Sequence, residues 1–143
     1  MSPKYRAQKI PSSHWATPEV LYACLHLEFH FTLDPCPLRP EGGLFGSRDG
    51  LLMPWTNQRV FCNPPYDRSV RQWLVKSQEA DLAVFLLPAR TDTAWWHDIV
   101  LPHATEIRFL KGRLHFNDRN GRAPFPSVVV IFGAVHCAES PHA

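Results

Sequence analysis

The feature that most constrains this chain is the unbroken apolar run Leu82-Ala83-Val84-Phe85-Leu86-Leu87, closed by Pro88. Apolar residues without alternation mark a central strand buried on both faces. The flanking sequence supplies elements to cover it. Thr17-Pro18-Glu19 reads as a helix start, with Thr as N-cap, Pro at the first helical position and an acid in the first turn. Val20, Leu21, Cys24 and Leu25 follow at helical spacing and predict one buried face. Phe29-His30-Phe31-Thr32-Leu33 alternates apolar and polar, which predicts a strand stopping at Asp34-Pro35. Val60 to Cys62 reads as another strand, and Asp67 can cap a helix carrying Val70, Trp73, Leu74 and Ser77 on one face. Thr93 to Val100 predicts a short helix with Trp95, Trp96, Ile99 and Val100 inward, stopped by Pro102. Glu106 to Leu110 and Ser127 to Phe132 are two more expected strands, joined by turns at Lys111-Gly112-Arg113 and Asp118 to Arg122. Strands alternating with helices predict an α/β fold: a twisted, mostly parallel sheet flanked by helices, with the ligand site beyond the carboxyl ends of the strands.

The length of 143 residues suits a single domain. We expect a loose, basic N-terminal segment over 1–13, the domain over 14–133 and a frayed tail over 134–143. Pro37 to Pro54 holds four glycines and reads mostly as loop. Cys24, Cys36, Cys62 and Cys137 include no Cys-x-x-Cys pair, so neither a zinc ribbon nor a redox pair is indicated, and Cys24 and Cys62 suit reduced, buried thiols. The eight histidines lack ligand spacing, so no metal is expected. No signal peptide is expected, since no apolar segment follows the basic start, no apolar run reaches membrane-spanning length, and an intracellular, reducing location is the default expectation. The net charge of +2 makes no case for nucleic acid by itself. Arg108, Lys111, Arg113, Arg119 and Arg122 face the single acid Asp118 in one stretch, which reads either as a solvated face or as a polyanion contact.

The chemistry is concentrated in Asn63-Pro64-Pro65-Tyr66, directly after Arg59-Val60-Phe61-Cys62. The two prolines have fixed φ and no N–H. They hold the Asn63 amide and the neighbouring carbonyls in one geometry, with the flat ring of Tyr66 beside them. Asn63 Oδ1 and the Pro64 carbonyl can accept the two N–H groups of an exocyclic amine while the phenol stacks on its heterocycle. The same four residues also suit an ordinary turn.

The wider series is similar to the phage-type DNA N-6-adenine methyltransferase (Dam) family, within the S-adenosylmethionine-dependent amino-methyltransferases. It comprises Trp15-Ala16-Thr17-Pro18-Glu19, Asp34-Pro35-Cys36-Pro37, Asp49-Gly50-Leu51 with Pro54-Trp55, Asn63-Pro64-Pro65-Tyr66, Leu87 to Thr93 with Trp96-His97-Asp98, and Phe109 to Phe116. It spans about Trp15 to Gly133. The resemblance implies a single Rossmann-like methyltransferase domain, in a minimal version without a target-recognition domain. It implies site-specific methylation of DNA at adenine N6 with S-adenosyl-L-methionine, in the cytoplasm of a bacterial or phage-infected cell. Homodimerisation stays open. Asn63, Pro64, Pro65 and Tyr66 are then catalytic. Trp15, Thr17, Pro18, Asp34, Cys36 and Asp49 fall to the cofactor. Tyr66, Arg90, Lys111 and Arg113 fall to the substrate.

Several of these residues have plainer readings. Thr17 can simply cap its helix, Asp34 and Asp49 can be turn residues, and Asp92 beside Arg90 and Thr91 can be a helix cap. Trp95 and Trp96 at helical spacing read as core. No glycine-rich loop follows Asp34; Gly42 and Gly43 are the nearest substitutes. The expected mechanism is direct transfer. The amine is held by Asn63 and the Pro64 carbonyl, developing charge is stabilised there, and the target base is flipped from the duplex onto Tyr66. Cytosine-N4 methylation, and a nucleic-acid-binding relative without cofactor, are the competing readings. A small structural α/β domain would need every motif to be accidental.

Overall fold

The computed structural model describes residues 13–37, 49–117 and 119–133. The expectations for 1–12, for Gly42 and Gly43, for Asp118 and for the tail 134–143 lie outside the described residues. Helix α1 runs Glu19–Phe29 and the short α2 runs Asp49–Leu52. Strand β1 (Arg59–Cys62) leads to α3 (Val70–Lys76), and β2 (Leu82–Pro88) leads to a π-helical turn over Trp96–Val100 that continues as α4 (Leu101–His103). Strands β3 (Glu106–Phe109) and β4 (Ser127–Gly133) complete the sheet.

The sheet order is β1-β2-β4-β3. β1 and β2 pair in parallel, with Arg59 opposite Leu82 and Cys62 opposite Phe85. β4 runs antiparallel to both β2 and β3. The expected mostly parallel sheet is therefore mixed. Its last strand enters between β2 and β3 and reverses the pairing there, while β1, β2 and β3 keep one direction.

Every residue of β2 is buried. Ala83, Phe85 and Leu87 meet Trp55, Trp73, Trp96 and Val100 on one face. Leu82, Val84 and Leu86 meet Leu25, Phe29, Phe61, Tyr66 and Phe116 on the other. The double-sided run thus has α3 and the π turn behind it. On the opposite face α1 and the β3–β4 connection cover it.

Three local expectations are corrected. The strand predicted over Phe29–Leu33 contracts to one parallel bridge, Leu33 with Val60. The helix continues through Phe29 and stops at His30, which takes a left-handed cap conformation with φ 53°. Phe29 is needed on the helix, where it follows Leu21 and Leu25 at four-residue spacing and packs inward. That rotation also leaves Val20 77% exposed and puts Cys24 at the surface, so neither lies on the buried face expected of them. Leu21, Tyr22, Leu25 and Phe29 offer more apolar area than the face that includes Val20 and Cys24, and area decides which side is buried. Finally, Pro102 does not stop its helix after Val100. The Leu101 N–H bonds to the Trp96 carbonyl five residues back, and this wider turn leaves no bond for the proline to break.

The connection from β3 to β4 is more than a pair of turns. Phe116 is fully buried in it, beside Tyr66 and Phe125. Asn117 donates its N–H to the Ala16 carbonyl at 3.2 Å and its side-chain amide to the Thr17 carbonyl at 2.9 Å. Arg119 donates to the His14 carbonyl at 2.6 Å and lays its guanidinium 4.4 Å from the Trp15 ring centre. The segment 14–17 is therefore clasped by the β3–β4 connection. Ser13 is held as well, its carbonyl accepting the Tyr66 N–H at 2.7 Å, so it belongs to the ordered domain and not to the expected loose leader.

Candidate active site

The loop Asn63-Pro64-Pro65-Tyr66 leaves the carboxyl end of β1 and is buried throughout. Asn63 is 2% exposed. Its Nδ2 donates to the Trp15 carbonyl and, at 3.0 Å, to Thr17 Oγ1. The Trp15 carbonyl can only accept, so the amide NH2 must face it and Oδ1 is turned the other way. Oδ1 is buried and has no hydrogen-bond partner. A buried acceptor left unpaired costs about 1–3 kcal/mol, and native proteins keep few of them. This one sits on the residue that the sequence marks as the amine acceptor.

Thr17 does not cap α1. The helix opens at Glu19 after Pro18, with no side-chain cap, and the Thr17 hydroxyl serves the Asn63 amide instead. Tyr66 is fixed at three points. Its N–H is held by Ser13, its hydroxyl donates to the Leu86 carbonyl at 3.1 Å, and its ring meets Phe125 edge-on at 5.6 Å.

Two cavities flank this loop. One, of about 350 Å³, is lined by Tyr66, Asp67, Arg68, Val70, Pro88, Arg90 and Trp95, at the carboxyl ends of β1 and β2. The other, of about 240 Å³, is lined by Thr17, Glu19, Tyr22, Asp34, Cys36, Pro37 and Phe61. Asn63 is bonded to Thr17 in the wall of the second cavity, and Tyr66, three residues on, lines the first. The charges differ. Arg68 and Arg90 outnumber Asp67 in the first, whereas the second carries Glu19 and Asp34 with no lysine or arginine among its described lining residues.

Three groups near the loop have displaced acidities. Burial pushes the Cys36 thiol up to about 12, with the Asp34 and Asp67 charges adding to the rise. Burial likewise raises Cys62 well above the usual thiol range, and Cys36 and Asp34 reinforce it. The Tyr66 phenol is raised by burial and by the two thiols, and Arg90 only partly opposes this. All three stay protonated at neutral pH. A thiolate nucleophile of the kind that attacks a base carbon is therefore not on offer from Cys36 or Cys62.

The structure places Thr17, Asp34 and Cys36 in the wall of one cavity and Tyr66 and Arg90 in the wall of the other, whereas Asn63 lines neither and is joined to the first through its bond to Thr17. One Asp34 oxygen accepts the Cys36 N–H at 3.1 Å, which shapes the loop after Leu33. Pro18 is the residue before α1, and Trp15 contributes its carbonyl to Asn63. Asp49 opens α2 rather than forming an Asp-Gly turn, and its side chain lies outside the described atoms. The adjacent Gly50 packs so closely on Pro35 that a Cβ would stand 2.0 Å from the Pro35 carbonyl oxygen, so α2 is held against the Asp34-Pro35 loop only because residue 50 is glycine. Lys111 and Arg113 are exposed on the β3–β4 connection and line neither cavity.

Sequence reasoning missed Trp95 and Arg68 as cavity residues, and Asn117 as the clasp on Thr17. Trp95 carried a signal in hindsight. It follows a strand end by seven residues and stands next to an inward Trp96, so the two rings cannot share one helical face.

Residues 6–133 match the profile of the family DNA N-6-adenine-methyltransferase (Dam). The chain belongs to the Dam family. Membership implies a DNA methyltransferase, and DNA is the expected substrate of this Dam chain. No curated protein and no solved structure matches it. Among the described residues no helix is long and apolar enough to cross a membrane, and no group of three or more His, Cys, Asp or Glu is placed to hold a metal ion.

Proposed function

We propose that this Dam-family chain transfers a methyl group from S-adenosyl-L-methionine to the N6 amine of adenine in DNA, at a preferred site. The observation that carries the reading is the buried, partnerless Asn63 Oδ1 on a loop between two cavities of opposite charge. An amine donor is the missing partner of that oxygen. The Pro64 carbonyl would take the second N–H.

The cavity lined by Glu19 and Asp34 fits a cationic ligand. S-adenosylmethionine carries a sulfonium and an ammonium against one carboxylate, for a net positive charge, and supplies an activated methyl group when bound. Asp34 would accept the ammonium, Thr17 and the uncapped start of α1 would receive polar groups of its methionine end, and Cys36 would give an inert wall. Trp15 and Pro18 would flank the methionine end beside Thr17, and Asp49 would accept the amino group of the donor's adenine.

The other cavity would take the flipped base. Tyr66 and Trp95 offer aromatic faces, and Arg68 and Arg90 offer cations to flanking phosphates. Lys111 and Arg113 would contact the backbone farther out. Asn63 and the Pro64 carbonyl favour the amine geometry in which the nitrogen lone pair is available, and stabilise positive charge growing on it. Positioning supplies the remainder. The residues over 14–133 would form one Rossmann-like methyltransferase domain. Its support is a site beyond the carboxyl ends of the codirectional strands β1 and β2.

The test is transfer of labelled methyl from S-adenosylmethionine to methyl-free DNA, followed by digestion and mass identification of the product. N6-methyladenine is expected. N4-methylcytosine would replace the adenine assignment, and an unlabelled product with no donor binding would support the inactive relative.

A further inference from the structure

We propose that Thr17 is a positioning residue that couples the donor cavity to the base-accepting oxygen of Asn63; the coupling rests on the donor reading above. Thr17 alone among the described residues both lines the cavity with Glu19 and Asp34 and bonds the Asn63 side-chain amide, with Oγ1 accepting from Nδ2 at 3.0 Å. Its hydroxyl is released from helix capping because α1 opens two residues later. Its backbone is fixed from behind, since Asn117 takes the Thr17 carbonyl at 2.9 Å and the Ala16 carbonyl at 3.2 Å.

A hydroxyl has one proton and two lone pairs. Thr17 spends one lone pair on Asn63 and has its proton to donate to an acceptor in the cavity. The donors then point one way: base amine to Asn63 Oδ1, Asn63 Nδ2 to Thr17 Oγ1, Thr17 hydroxyl to the ligand. Hydrogen bonds in such a chain polarise one another. A ligand that accepts from Thr17 makes Oγ1 a better acceptor, draws on the Asn63 amide and strengthens Oδ1 as an acceptor for the target amine. Occupancy of one cavity thereby prepares the other, with no movement of the backbone.

The readout is the Asn63 side-chain NH2 signal in nitrogen-edited NMR, identified by its loss in Asn63→Ala. In ligand-free protein, both NH2 protons are expected to exchange slowly. Thr17→Val should speed exchange of one of them about tenfold and move it upfield, and Thr17→Ser should restore both. Adding S-adenosylmethionine should shift the pair in the parent and in Thr17→Ser, and far less in Thr17→Val. In transfer assays at saturating donor Thr17→Val should lower kcat about fivefold to tenfold and, because the hydroxyl also donates to the ligand, raise KM for the donor about fivefold, with Thr17→Ser near the parent on both. Unchanged NH2 exchange in Thr17→Val, or a Thr17→Ser variant as impaired as Thr17→Val, overturns the positioning role. A donor-induced shift equal in Thr17→Val and the parent overturns the coupling while the donor reading stands. A parent that binds no donor refutes the donor reading and with it the coupling, and the ligand-free exchange still decides whether Thr17 holds the amide.

Discussion

The two cavities beside the Asn63 loop are built from the same kind of material, strand ends and helix starts, yet they differ in charge and in aromatic content. The one with Tyr66 and Trp95 presents Arg68 and Arg90, and the one with Thr17 presents Glu19 and Asp34. A polyanion carrying a flat base suits the first and a small cation suits the second. The sheet explains how they come to be neighbours. β1 lies between the Leu33 bridge and β2, so the loops after Leu33, after β1 and after β2 emerge side by side. Asn63 belongs to the middle loop and is tied by Thr17 to the acidic side. That division of charge across one asparagine suits the proposed transfer between a cationic donor and a nucleic acid.

The division can be broken most severely at its centre. Asn63→Ala is expected to cut single-turnover transfer about 100-fold or more, the scale seen when one preorganised transition-state contact is removed, and to leave donor affinity by calorimetry within about threefold. Loss of donor binding together with transfer would show that Asn63 serves the acidic cavity rather than the space between. Asp34→Asn sharpens the contrast from one side. It keeps an oxygen for the Cys36 N–H but removes the charge, and is expected to weaken S-adenosylmethionine roughly tenfold while weakening the uncharged-sulfur product, S-adenosylhomocysteine, less. Equal losses for the two ligands would mean that charge is not what the cavity reads.

From the other side, replacing Arg68 and Arg90 together by Ala should lower DNA affinity severalfold and reduce the slope of log affinity against log salt by about 2, with donor affinity unchanged. Tyr66→Phe should cost about 1 kcal/mol in thermal or denaturant unfolding, through loss of the bond to the Leu86 carbonyl, and keep transfer within about threefold because the ring remains.

The smallest effect lies outside both cavities. Arg108 joins Glu28 of α1 to Glu106 of β3 at 2.7 Å each, and its hydrogen bond holds the Glu28 carboxyl below its usual range. A lowered folded-state value adds stability above the unfolded value of about 4.3 and loses it as pH falls through the folded one. The pair is well exposed to solvent, so Arg108→Gln should remove only about 0–1 kcal/mol at neutral pH, and less below about pH 4.

What could be read from the residues was whatever is local and periodic. β2 announced itself because six consecutive apolar side chains admit one environment. The Asn63 loop announced itself because two prolines stiffen an acceptor beside a ring. The long-range partners were invisible. Asn63 and Thr17 are 46 residues apart, and nothing in either residue type says that a threonine with the sequence context of a helix cap gives its hydroxyl to an amide instead. The inward face of α1 is ambiguous in the sequence because Val20 and Cys24 satisfy the same four-residue spacing as Leu21 and Leu25, and the packing of Tyr22 and Phe29 against Phe31 and Phe61 chooses between them. The reversed β4 was illegible too, since strand direction depends on where the β3–β4 connection crosses and not on strand composition.

The most direct measurement is a crystal structure of the protein with S-adenosylmethionine and an adenine-containing oligonucleotide. The donor is expected beside Thr17, Glu19 and Asp34, the base against Tyr66, and the adenine amine within hydrogen-bond distance of Asn63 Oδ1. A donor seated between Arg68 and Trp95, or an amine that leaves Oδ1 without a partner, would contradict it.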